Sequence, residues 1–522
     1  MVGKTVQITY LGHAAFCVET PRAIVITDPW LSPHGAFDSA WFQFPRNHHL
    51  APFVREKLSE SSKERFVYIS HEHGDHFDQE FLNSVQNRDF TIVIPHFRRA
   101  ALRAAFADYR PKALVSCVDR QEVAIPGGYL KLYLDNSGLN RDSAIIIRAE
   151  GQSFLDLNDC KLYDLLPSIA QDQGPFDVFT CQFSGATWHP TCYEYPRALY
   201  ERISERKVLS KFETVARAIE TITPRVFLPS AGPACFLDPM LIQLNFERVN
   251  IFPRAPKLLR YLDKRLPNSH TRCMEIMPGD VLDVESGQYV RQAEERVDEE
   301  NFEPYIRSYA ALYAGFFAER KTQCLGISTV LERLRAELYR KLSNLTLHER
   351  VHTPLYFALN DCSQQMVRVD FPKKKVEFVT QIHGSDYYSI RAPSWEVVRV
   401  LDGKLTWEEF ALTFRMRLNR EPDVYQTLVQ GFLLMEAEDM NEFCVKLLDI
   451  EEQQKRTVVE AGGTRYAIDR SCPHQGGDLS RGWLEDARFW TCPRHRWQFD
   501  LQKGGQCTTS NASIRAVCLE ND

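Results

Sequence analysis

The chain has 522 residues, 44% of them hydrophobic and 25% charged, with a formal net charge of −6. That size suits about three domains with ordinary globular interiors, and the mildly acidic balance gives no ground for expecting nucleic-acid or anionic-membrane binding. No apolar run approaches the ~20 residues of a membrane-spanning helix, no leader-like series opens the chain, and 14 scattered cysteines read as the reduced thiols of a cytoplasmic protein.

Residues 6–11 and 23–27 read as two strands, the first ending at Gly12-His13 and the second running into Asp28-Pro29-Trp30. Phe66-Val67-Tyr68-Ile69-Ser70 is a third strand that leads directly into His71-Glu72-His73-Gly74-Asp75-His76. Three imidazoles and a carboxylate at the carboxyl end of a strand can coordinate one or two metal ions, with Gly74 expected to let the chain bend between them. His13 is expected to face the same cleft, as a supporting or a structural group. Arg98, Arg99 and Arg103, and the tract 254–265, read as solvated helical surface.

The H-x-H-x-D-H run and the strands before it resemble the metallo-β-lactamase superfamily, which implies an α/β fold: a four-layer αββα sandwich over residues 1–290. The resemblance also implies a bridging Asp. Ser153–Cys160 reads as a strand ending in acids, so Asp159 is preferred for that place over Asp156, which lies inside the strand pattern. Two further histidines of the family are absent: one expected near 136–143, the other after the strand 225–229, where the chain has Ser230-Ala231-Gly232-Pro233. Asp142 and His189 are the nearest substitutes, as ligands or catalytic groups. A two-zinc hydrolase needs a full ligand set to acidify its bridging water, whereas an open, carboxylate-rich set suits iron that binds O2.

An acidic stretch, 294–303, is a plausible linker into a middle domain, 291–440. Helical periodicity covers 305–320, 327–345, 395–401 and 407–418, with Thr406 and Glu409 forming a capping box; 365–371 and 375–379 alternate as strands. The run from Arg417 to Tyr425, RLNREPDVY, is similar to a stretch of the CMP-N-acetylneuraminate hydroxylase family, iron-containing monooxygenases. Asp28-Pro29-Trp30-Leu31, Asn158-Asp159-Cys160, Phe183–Ala186 and Ala231-Gly232-Pro233 match that family as well. It combines a Rieske segment, placed first there, with a metallo-β-lactamase-like one.

The last domain, 441–522, carries Cys472-Pro473-His474 and Cys492-Pro493-Arg494-His495. Two thiolates and two imidazoles on two short loops suit a [2Fe–2S] cluster with one iron held by cysteines and the other by histidines. Zinc can use the same ligand types, but its sites usually space paired ligands differently. The whole frame, through Gly482, Asp500 and Gly504-Gly505, resembles the Rieske family, a small all-β domain. Gly476 and Gly477 are expected to bring backbone close to the cluster, and Trp497 and Phe499 to shield it.

Taken together these features imply a Rieske-coupled non-haem iron monooxygenase. It would take electrons from an external donor of the ferredoxin, cytochrome b5 or flavin reductase type, and act on a small molecule with O2 at one or two irons held by His71, His73, Asp75, His76 and Asp159. The alternatives are a hydrolase with a structural or redox-sensing Rieske domain, and a redox protein without turnover at the cleft. A homo-oligomer is a further expectation compatible with this reading.

Overall fold

The computed structural model describes residues 5–97, 101–135, 141–320, 326–362, 364–452 and 455–519. They form two compact units: one of residues up to 135, 141–186 and 201–313, the other of 187–200 and 314–519.

In the first unit β1 (Gln7–Gly12), β2 (Ala15–Glu19), β3 (Ala23–Thr27), β4 (Glu64–Tyr68), β5 (Thr91–Pro95) and β6 (Ala113–Cys117) form one sheet with two later strands. β7 (Glu122–Ile125), β8 (Gly128–Asp135), β9 (Asp142–Ala149), β10 (Gln152–Asp156), β11 (Val178–Gln182), β12 (Val226–Ser230) and β13 (Arg272–Cys273) form the other. β14 (Val281–Asp283) returns to pair antiparallel with β1, and β15 (Tyr289–Val290) completes that edge. The sequence reading missed β2, which folds back on β1 through a bulge between Tyr10 and Gly12.

Strand alternation sorts the side chains into layers. In and beyond β4, Phe66 and Tyr68 enter the core between the sheets with Phe16, Ile145 and Phe154. Val67 and Ile69 face outward with Val54, Phe81 and Leu102 of the helices Ala51–Ser59, Gln79–Ser84 and Ala101–Ala105. The outer face of the second sheet packs on Leu-, Phe- and Val-bearing faces of Leu166–Gln173, Arg197–Ile222 and Ala255–Arg265. The result is the expected αββα sandwich. Its parallel runs, β3 to β6 and β10 to β13, end on loops that build the site described below. Arg103 is exposed as expected, and Arg98 and Arg99 lie outside the described residues. Arg254 is not simply surface: its guanidinium sits 4.0 Å from the Phe44 ring centroid and donates to the Pro233 carbonyl, and burial lowers its pKa to about 10.

The second unit is mixed α/β. β16 (Leu355–Leu359), β17 (Met366–Asp370), β18 (Lys375–Val379), β19 (Tyr387–Ala392) and β20 (Arg417–Glu421) make one sheet, in the order β18-β17-β16-β19-β20. The helix Ile327–Asn344 buries Val330, Leu334 and Leu338 at the spacing the sequence shows, and the Thr406–Glu409 capping box is formed in both directions. Two helical expectations fail. The helix from Trp407 ends at Leu412, Phe414 takes a positive φ of 56°, and 417–421 is strand β20, because pairing with Tyr387–Arg391 outweighs a short ambiguous pattern. The stretch 305–320 is broken at Tyr313 into Phe302–Leu312 and Ala314–Arg320.

The last part of the chain is a small β domain. A three-stranded sheet (Arg456–Ala461, Thr464–Asp469, Val517–Leu519) and a four-stranded one (Trp483–Glu485, Phe489–Thr491, Gln498–Asp500, Gln506–Cys507) share a core of Ile468, Leu479, Trp490, Phe499 and Ile514.

Candidate metal centres

At the carboxyl end of β3, Asp28 takes a positive φ of 39° and turns its carboxylate across to the end of β4. The Ser70 N–H donates to its Oδ1 at 2.7 Å, the Ser70 hydroxyl donates to Oδ2 at 2.6 Å, and His76 Nδ1 lies 2.8 Å from Oδ2. A carboxylate at Nδ1 fixes the imidazole's tautomer and aims Nε2 the other way. Nε2 of His76 points between Asp75 Oδ2 at 3.8 Å and Asp159 Oδ1 at 3.7 Å. His76 Nε2, Asp75 Oδ1 and Asp159 Oδ1 are buried and make no hydrogen bond. Leaving such atoms dry and unpaired costs about 1–3 kcal/mol each, and a shared cation removes that cost.

Two donor groups, His13–Asp75–His76 and His71–His76–Asp159, each bring their ligand atoms within 4.8 Å of one another, with His76 common to both. His71 Nε2 lies 2.9 Å from His73 Nδ1, while His71 Nδ1 is 2.9 Å from Ser70 Oγ and 3.3 Å from Asp142 Oδ1. The chemistry and convergence of these donors fit one or two metal ions of the iron or zinc class. Burial disfavours charge on both Asp75 and His76, but their mutual attraction wins. Asp75 is held far below the carboxylate range and His76 well above the usual imidazole range. Asp142 and Asp156 are instead raised by burial, Asp156 to about 7.

Asp142 thus stands behind His71. Asp156 accepts from Asn158 N and the Thr180 hydroxyl at the end of β10, while Asp159, three residues on, turns into the donor group. His189 lies in the second unit, where its Nε2 is 3.1 Å from the Tyr195 hydroxyl and its ring packs edge-on to Tyr193. Residues 136–140, within the stretch where the resemblance implies a histidine, lie outside the described residues.

Sequence reasoning left His13 undecided and assigned Asp28 no role at the metal site. Nε2 of His13 lies 3.0 Å from Asp75 Oδ2, and the residue is held at a positive φ of 54° with its carbonyl accepting from Ala231 N. A histidine immediately after a strand-ending glycine was the available signal. Gly74, by contrast, needs no left-handed backbone: a Cβ there would meet Ala36 at an ordinary 3.6 Å, and the turn is closed by His76 and Phe77 N–H donating to the His73 carbonyl.

A small cleft opens over these donors, lined by His13, Asp75 and Asp159 and by Trp41, Phe236 and Phe252. Ala231, Gly232 and Pro233, where the resemblance implies another histidine, form part of its wall. Gly232 is held at φ 151°, and a Cβ on it would fall 2.2 Å from Ser184 Oγ.

In the small β domain the two Cys/His motifs fold into one repeated hairpin. Cys472 N–H donates to the Gly477 carbonyl and Gly476 N–H returns to the Cys472 carbonyl; Cys492 N–H donates to Trp497 and Arg496 N–H returns to Cys492. Gly476 and Arg496, at the same place in each loop, both take positive φ, 70° and 60°. The loops meet with both cysteines buried and the His474 and His495 rings 4.7 Å apart. Burial, with the Cys492 sulfur alongside, pushes the Cys472 thiol well up. A Cβ on Gly477 would come 3.0 Å from Cys492 Sγ, so the second glycine leaves room beside the sulfur. Trp497 stacks on His474 at 4.4 Å, whereas Phe499 lies in the domain core. The donor set and its cradle fit a [2Fe–2S] cluster with paired cysteines and paired histidines.

A Rieske [2Fe-2S] domain family matches residues 431–518, and a β-lactamase superfamily domain matches residues 7–131. A protein of Mycolicibacterium smegmatis, provisionally named a Rieske 2Fe-2S iron–sulfur protein, is 26% identical over 98% of this chain and all of its own length. Cytidine monophosphate-N-acetylneuraminic acid hydroxylase of Macaca mulatta is 23% identical over 81% of this chain and 71% of its own. The solved structure of a diiron β-hydroxylase from Streptomyces venezuelae, CmlA, aligns with 54% of this chain and 55% of its own at 16% identity and a TM-score of 0.36.

Proposed function

We propose that this chain, a metallo-β-lactamase-like domain joined to a C-terminal Rieske domain that holds a [2Fe–2S] cluster, is an iron oxygenase that hydroxylates or N-oxygenates a small molecule. The observation that carries it is one chain with a cluster frame at Cys472, His474, Cys492 and His495 and convergent unbonded donors at Asp75, His76 and Asp159 beneath a cleft. Bound there, the cluster supplies single electrons and non-haem iron supplies O2 chemistry.

The residues divide the remaining work. His71, His73, Asp75, His76 and Asp159 would hold the iron, with His13 a further imidazole at Asp75. Asp28 keeps the His76 ring in one tautomer, and Asp142 does the same for His71 through Nδ1. Trp41, Phe236 and Phe252 give the substrate an apolar wall that excludes water, while Gln182 and Ser184 offer it hydrogen bonds. Electrons come from an external donor protein. No described helix is long and apolar enough to cross a membrane.

The test is anaerobic reconstitution with ferrous iron and sulfide, followed by metal counting and O2 uptake by the reduced protein. Iron beyond the cluster pair, lost together with O2 uptake in His76→Ala, is the expected result. Zinc alone in the cleft, or uptake unchanged by His76→Ala, would support hydrolysis or simple electron transfer instead.

A further inference from the structure

The cluster's outer histidine is held by a residue that precedes the matched Rieske segment. The Tyr425 hydroxyl lies 3.3 Å from His474 Nε2, and its ring stands edge-on to both His474, at 5.6 Å, and Trp497, at 5.2 Å. Tyr425 N–H donates to the Thr509 carbonyl at 3.0 Å, which ties this tyrosine to the far edge of the small domain. The His474 ring is therefore clamped, with its face on Trp497 and its Nε2 on a phenol oxygen.

The chain before Tyr425 is built to present it. Arg420 Nε donates to Asp423 Oδ1 at 2.7 Å, and the Tyr195 hydroxyl donates to the same oxygen at 2.8 Å. Between them Glu421-Pro422 makes the turn, with Val424 N–H donating back to the Pro422 carbonyl at 2.7 Å and the Tyr388 hydroxyl donating to the Val424 carbonyl at 2.5 Å. The run Arg420–Tyr425 thus has a structural meaning: an ion pair closes a turn whose far end carries a hydroxyl to a cluster ligand.

We propose that Tyr425 sets the reduction potential of the cluster by accepting a hydrogen bond from His474 Nε2–H, with the Arg420–Asp423 pair as its positioning device. This inference rests on the cluster alone and is independent of the oxygenase reading. With Nε2 turned to Tyr425, His474 would hold the cluster through Nδ1. A hydrogen bond from the remote N–H to an oxygen makes the imidazole a stronger donor, which favours the oxidised iron and lowers the potential.

The test uses the full-length, cluster-loaded protein and its Tyr425→Phe and Asp423→Asn variants, with the cluster followed by visible circular dichroism and electron paramagnetic resonance during a mediated redox titration. Tyr425→Phe should move the reduction equilibrium about tenfold toward the reduced form, about 59 mV for one electron. It should also alter the remote-nitrogen hyperfine coupling of the ¹⁵N-histidine-labelled cluster. Asp423→Asn removes no group that faces the cluster but loosens the turn that positions Tyr425; it should move the equilibrium in the same direction by less, and add nothing to Tyr425→Phe. A fully loaded Tyr425→Phe protein with unchanged equilibrium and coupling overturns the proposal. If that variant fails to hold a cluster, Asp423→Asn decides, and an unmoved equilibrium there overturns the proposal equally.

Discussion

Asp28 and His76, 48 positions apart, meet with Oδ2 of one 2.8 Å from Nδ1 of the other, and neither side chain has any exposure to solvent. The same carboxylate takes both the N–H and the hydroxyl of Ser70, the residue that launches the H-x-H-x-D-H loop. One acid at the end of β3 therefore orients a candidate ligand and anchors the loop that carries it.

Replacing Asp28 with Asn should keep an acceptor for Ser70 N–H but weaken the hold on the His76 ring. Changes to such supporting groups typically cost 10–100-fold in metal affinity. Competition titrations of the cleft with ferrous ion or zinc should show that loss, while the visible spectrum of the cluster stays as in the parent.

The buried Asp156 carboxyl, raised from 3.8 to about 7 by burial first and the nearby Asp28 charge second, makes stability fall with rising pH. Below the unfolded value both states hold the proton and no contribution is lost. As pH climbs through the folded value the folded state must ionise a buried acid, and above it the loss is complete, up to roughly 4 kcal/mol for a shift of about three units. In the metal-free protein, the stability gap between Asp156→Asn and the parent should widen between about pH 4 and pH 7 and then level off. Urea unfolding across that range measures it; a gap flat with pH would contradict the assignment.

Gly477→Ala tests the room beside the cluster. Its backbone carries no positive φ, so the methyl group's main conflict is with Cys492 Sγ at 3.0 Å and the Arg494 side chain at 3.2 Å. Iron and acid-labile sulfide per chain should drop several-fold, with far-ultraviolet circular dichroism unchanged.

The two metal centres lie in separate compact units. His71→Ala should therefore lower cleft iron and leave the cluster spectrum intact. Cys472→Ala should abolish the cluster and leave cleft iron. Loss of both metals in either variant would mean that the two centres depend on a single folding unit.

The candidate donor groups of this protein were legible in the sequence wherever they depend on short covalent spacing. Cys472-x-His474 and Cys492-x-x-His495 each place a thiol and an imidazole on one tight loop, and His71 to His76 puts four donors at a strand end, whatever the rest of the chain does. Asp156 and Asp159 differ in the structure for a related reason: strand alternation buries Asp156 against Thr180, and the next turn sets Asp159 among the candidate donors.

Tertiary structure alone decided which distant residues complete these sites. Asp28 reaches His76, and Asp142 reaches His71, because parallel pairing of β3 with β4 and the stacking of two sheets bring their ends together. Tyr425 reaches His474 with its backbone hydrogen-bonded to Thr509, a contact between residues more than eighty positions apart. A donor's chemical type is written in the residue; its angle and its partner are set by strand register and sheet packing, which summed long-range contacts determine and no local spacing encodes.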